Sequence, residues 1–76
     1  MSKDFEGPDW TPLERLIGDR SGEFMWMWRE RDIEFYKHIR TRRYLLLDSK
    51  GGCYRQTTVG LEAADAAAEL KRVRGD

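Results

Sequence analysis

The residue pattern predicts an α+β domain: a short N-terminal helix, an antiparallel sheet of three to four strands, and a C-terminal helix packed on one face of that sheet. Three observations carry this expectation. Strand-like runs rich in aromatic, β-branched and Leu residues fill residues 24–57; a Gly51-Gly52 turn separates the last two of them; an Ala-rich stretch with helical spacing closes the chain. At 76 residues, about half of the ~150-residue prior for one domain, the chain has material for a single core. Three Trp, three Phe and three Tyr supply bulk that compensates for the absence of disulfides.

Residues 1–9 place Gly7 and Pro8 among charges without periodicity and read as a flexible arm, leaving 10–76 as the single domain. Thr11, Pro12 and Glu14 form a candidate capping box, in which the Thr hydroxyl and the Glu carboxylate satisfy the first helical N–H groups. Leu13, Leu16 and Ile17 then share one helical face, and Gly18 offers a stop. So short a helix is marginal alone and requires docking.

Phe24 to Trp28 is apolar on both alternating faces, which predicts a central strand covered on both sides. Ile33 to Ile39 alternates more cleanly and reads as half-exposed, after a tight turn at Glu30 to Asp32. Arg43 to Asp48 and Cys53 to Thr57 follow, joined by Ser49-Lys50-Gly51-Gly52, where glycine supplies positive φ. Nothing at Arg40 to Arg42 demands a turn, so one bent strand over 33–48 is the alternative to two. From Leu61 to Arg74, with Thr58 as the cap, Ala63, Ala67, Leu70 and Val73 fall inward and Glu62, Asp65, Glu69 and Arg72 outward. Acids lead and bases trail there, which complements the helix dipole.

The net charge of zero conceals a separation. Residues 1–36 sum to −4, residues 37–55 to +5 and residues 56–76 to −1. The lone Cys53 forms no internal bridge, the start carries no signal-peptide pattern, and no apolar run approaches the ~20 residues of a bilayer helix. A cytoplasmic protein with no membrane association is the expectation.

The residues that carry chemistry in other proteins have structural explanations here. His38 is the only histidine and has no Asp, Ser or Cys at motif spacing, so neither a triad nor a metal cluster assembles. Cys53 beside Arg55 is a packed thiol before it is a nucleophile. Lys50-Gly51-Gly52 leads into a strand, whereas a phosphate loop leads into a helix. No catalytic residue, cofactor, metal or small-molecule substrate is implied, and the expectation is that the chain is not an enzyme.

The basic segment is different. Tyr36, His38, Arg40, Arg42 and Tyr44 would project from one surface if their strands are neighbours, with Lys37, Arg43 and Arg55 adding charge. Cations neutralise phosphates and Tyr or His rings stack on bases, so this mixture suits DNA or RNA. A solvated face ion-paired with the nearby Glu30, Asp32 and Glu34 accounts for the same residues; the functional reading is a small binding module with a basic, aromatic sheet face for nucleic acid. Its alternative is a protein-interaction or homodimerisation module using exposed Trp, Met and Tyr, with charge setting the register. Three strands followed by a helix, over residues 33–73, also resemble the architecture of the arm-binding domains of tyrosine recombinases and of plant ethylene-response DNA-binding domains. That resemblance implies a sheet entering a major groove.

Overall fold

The computed structural model describes residues 7–75. Its elements are α1 (Thr11–Ile17), a 3-10 segment (Gly18–Glu23), β1 (Phe24–Glu30), β2 (Ile33–His38), β3 (Tyr44–Asp48), β4 (Cys53–Thr57), β5 (Gly60–Ala63) and α2 (Ala66–Arg74). The strands form one five-stranded antiparallel meander in the order β1-β2-β3-β4-β5. The fold is α+β, with one strand more than expected. No helix of the described residues is long and apolar enough to cross a membrane.

The core lies between one sheet face and the two helices. Leu13 from α1 and Val73 from α2 meet Phe24, Tyr36, Leu45, Leu47 and Cys53 from four strands. Burying each such side chain contributes about 1.5–3 kcal/mol. Trp10, Leu16, Ile17 and Leu70 pack around this cluster and hold the short α1 in place.

Several local expectations change. The capping box does not form: Trp10 occupies the N-cap without a side-chain bond, and the Asp9 carboxylate instead accepts from the Thr11 N–H at 3.0 Å. Leu61 is not helical, because Gly60–Ala63 pairs with β4 as the last strand. The helix starts five residues later, with Asp65 as its N-cap accepting from Ala68 N–H. Ala66, Leu70 and Val73 face the core; Glu69, expected outward, is buried beside them and Ala67, expected inward, is exposed.

Phe24–Glu30 is an edge strand and not a central one. The strands buried on both faces are β3, at Leu45, Leu46 and Leu47, and β2, at Glu34, Phe35, Tyr36 and His38, so β2 is not the half-exposed strand its alternation predicts. A bulge between Trp26 and Trp28 lets β1 carry its apolar run at an edge: Trp26 sits opposite Tyr36, and Trp28 opposite Phe35 on the other face. Between β2 and β3 the chain turns, and one bent strand is excluded. Arg42 adopts φ 67° there, a conformation that costs an L-residue about 1 kcal/mol or more. It is held because the Arg42 N–H donates to His38 O at 2.8 Å.

Candidate functional site

Strand alternation assigns the side chains of β2 to opposite faces. Glu34, Tyr36 and His38 point into the helix-covered core, whereas Phe35 and Lys37 point to the uncovered face. Tyr36 is fully buried against Trp10, ring centroids 5.7 Å apart, and its hydroxyl donates to Asp9 O at 2.6 Å. Burial, and then the neighbouring Glu34 and Asp9 charges, push that phenol well above its ordinary range. His38 lies edge-on to Phe24 at 4.9 Å. Its Nδ1 accepts from the N–H groups of Arg40 and Thr41, both at 3.2 Å, which leaves Nε2–H to donate to Glu23 Oε1 at 3.3 Å.

The expected single surface therefore does not exist, and the reason is register. Parity of numbering tracks a face only within one strand. The turn at residues 39–43 resets it, and Lys37 pairs opposite Tyr44 across the β2–β3 ladder. Tyr44 and Lys37 are on the open face, with the Lys37 ammonium 5.8 Å from the Tyr44 ring centroid. Tyr36 and His38 are on the other. Arg40 and Arg43 leave the sheet altogether: each donates at 2.6 Å to a carbonyl of the last helical turn, Arg74 O and Arg72 O respectively. Thr41 adds a bond to Val73 O. These three contacts fasten the turn to the carboxyl end of α2, where the carbonyls of the last turn favour cations. Arg42 is exposed on the turn, and Arg55 reaches Glu69.

The open face instead collects residues the strand pattern had hidden. Trp28 stacks on Phe35 with centroids 4.7 Å apart and tilts against Tyr44 at 5.7 Å. Phe35 and Leu46 are thereby buried at 3% and 2% exposure although no helix covers them. Above them Met25, Trp28 and Leu61 remain 42%, 43% and 39% exposed. Trp28 was obscured by the bulge, and Leu61 by its place in an Ala-rich stretch that reads as helix.

Two charged features flank this aromatic ground. At the hairpin end, Glu30, Asp32 and Asp48, with Arg31 the one cation, line a hollow floored by Ile33, Phe35, Tyr54 and Leu61. Asp48 there accepts from the Tyr54 hydroxyl at 2.7 Å and from the N–H groups of Lys50 and Gly52 at 2.9 and 2.7 Å. These bonds, the Tyr54 bond first, hold its carboxyl below the ordinary range, and the same bond raises the Tyr54 phenol. At the other end β3 and β4 pair only at Leu46–Tyr54 and Leu47–Cys53 and then part. The gap is a slot lined by Arg43, Tyr44, Leu46, Arg55, Gln56 and Arg72. The Arg72 guanidinium plugs it from α2 and donates to Tyr44 O at 3.4 Å.

Cys53 is buried on the helix side, and desolvation followed by the Glu69 charge pushes its thiol up to about 11. At neutral pH it is a packing residue. No family model, curated protein or solved structure matches the chain, so nothing beyond the strand-and-helix order carries the resemblance to DNA-binding domains.

Proposed function

We propose that the chain is a protein-interaction module that pairs with a second copy of itself through the open sheet face. The observation that carries this reading is the layout of that face: exposed Trp28, Met25 and Leu61 over a buried aromatic layer, with a carboxylate-lined hollow on one side and an arginine-lined slot on the other. A two-fold axis lying in the plane of the face, midway between the two, brings the hollow of each copy onto the slot of its partner. The opposite registration sets carboxylates on carboxylates, so charge selects one orientation while the aromatic ground supplies the apolar burial. A stable pair needs about 800 Å² from each copy, about a sixth of the 4978 Å² surface.

A nucleic-acid surface is supported less well. Arg40, Arg43 and Arg55 lie apart from Lys37 and Tyr44, each with a donor given to a helix carbonyl or to Glu69, so no continuous basic track crosses the open face, and three carboxylates share that face with Lys37 and Tyr44. Phosphates are repelled where those carboxylates lie.

Sedimentation equilibrium tests the proposal. The expected result is a monomer–dimer equilibrium with Kd of about 10 μM or tighter near neutral pH, weakening as salt screens the charged contacts. Trp28→Asp is expected to be monomeric with an unchanged far-UV spectrum. A strict monomer at millimolar concentration sinks the reading, and salt-sensitive retention of single-stranded DNA or RNA by that monomer would restore the nucleic-acid one.

A further inference from the structure

The slot between β3 and β4 is more than a patch of surface charge. Arg43, Arg55 and Arg72 converge on it from a turn, a strand and a helix, and no carboxylate lines it. One buried acid balances the three: Glu69 Oε1 accepts from Arg72 Nε and Nη2 at 3.2 and 2.8 Å, and Oε2 accepts from Arg55 Nε at 3.1 Å with the Arg55 Nη2 ion-paired to it at 3.0 Å. Both carboxylate oxygens are thereby taken on the helix side. Arg43 gives Nη1 to Arg72 O, and Arg72 gives Nη2 also to Tyr44 O. Each guanidinium has five N–H donors in a planar fork, and the remaining ones have no partner among the described residues. Three cations against one carboxylate leave a net charge of about +2.

From this arrangement we infer that the slot binds a phosphate monoester of a small molecule, its phosphoryl oxygens taken by the free donors of Arg43, Arg55 and Arg72. A phosphoryl group carries about −1.5 to −2 charge at pH 7 with three acceptor oxygens, which matches both the charge and the fork geometry. The slot, at about 510 Å³, has room beyond the phosphoryl group itself. The Tyr44 ring and the Gln56 amide form the wall against which the esterified part lies. The Lys50-Gly51-Gly52 turn is no phosphate loop, because a strand follows it. The slot is a different construction, made of side chains that a split in the sheet brings together. It does not rest on self-pairing, since one copy holds all three arginines.

The test is titration of the full ¹⁵N-labelled chain with inorganic phosphate, with a nucleoside monophosphate and with the corresponding nucleoside, against sodium chloride at equal ionic strength. Sedimentation is followed in the same buffers. The expected result is saturable shifts confined to amides near residues 43–46, 55–56 and 69–73, with Kd of about 1 mM or below for the monophosphate. Phosphate alone should bind more weakly and the nucleoside not at all. Arg43→Gln should weaken binding about tenfold or more. Arg43→Lys, which keeps a donor for the helix carbonyl, should lose most of the affinity while melting like the parent. Shifts that never saturate, that equal those in sodium chloride, or that persist with unchanged Kd in both variants overturn the site. Loss of pairing on saturable phosphate binding would mean that phosphate displaces the partner's carboxylates from the slot, in keeping with both readings, whereas saturable shifts in a chain that is monomeric without phosphate would remove the self-pairing reading and leave this one standing.

Discussion

Replacing Glu69 with Gln puts the buried ion cluster to a quantitative test. Glu69 is 3% exposed, accepts two bonds from Arg72 and one from Arg55, and is ion-paired with the Arg55 Nη2. Burial alone raises its pKa, but hydrogen bonds and charge from Arg72 and then Arg55 outweigh that, and the net shift is downward. Gln preserves the volume but turns an NH₂ toward a guanidinium, donor against donor. Removing one partner of a fully buried pair costs about 3–5 kcal/mol. Here the two arginine side chains are 53% and 38% exposed, so water solvates them in the variant and the expected cost drops to about 1–2 kcal/mol. For a domain of this size that lowers Tm by about 5–15 °C. The sign of the pH dependence follows from the depressed folded pKa. The carboxylate's contribution is complete above the unfolded value of about 4.3 and is lost as pH falls through the lower folded value. Thermal melts followed by circular dichroism should therefore show the widest gap between parent and Glu69→Gln near neutral pH, closing as the solution is acidified below about pH 4. A Tm difference under about 2 °C at neutral pH, or a gap independent of pH, refutes the reasoning.

Three other outcomes are expected. Tyr36→Phe removes the hydroxyl that donates to Asp9 O at 2.6 Å and should cost about 1–2 kcal/mol in urea unfolding; an unchanged midpoint would mean that this bond contributes nothing. Gly52→Ala drives a Cβ to 2.7 Å from Asp48 Oδ2, displacing the carboxylate that organises the β3–β4 turn, and should cost about 1–2 kcal/mol. Gly22→Ala, whose Cβ meets nothing within 4 Å, should stay within about 0.5 kcal/mol, and equal losses in the two variants would contradict the geometry. The Cys53 thiol, held protonated up to about 11, should react with a disulfide reagent at about pH 8 only as fast as the domain opens. Because the unfolded thiol ionises first, its contribution to stability is complete below the unfolded pKa and is lost as pH rises from about 9 to 11; rapid native-state labelling would show that the burial is wrong.

What the linear pattern determined is local. The positions of the early helix and of the middle three strands follow from spacing of Leu and Ile at helical intervals, period-two alternation and a Gly-Gly turn. The C-terminal helix follows from its Ala-rich, dipole-matched composition, because each of these acts over a few residues and needs no distant partner. Its start was misplaced because Ala and Leu in residues 61–64 favour helix, whereas pairing with β4 supplies backbone partners that propensity does not count.

Only the tertiary structure decided which residues meet. A bulge at Trp26/Trp28 turns Trp28 onto the open face; the Lys37–Tyr44 register separates Tyr44 from Tyr36; and the parting of β3 and β4 gathers Arg43, Arg55 and Arg72 around one slot. Each depends on which face a strand presents and where a ladder ends. Those choices depend on apolar burial and ladder pairing over the whole sheet, a sum over residues far apart in the chain that no short window contains.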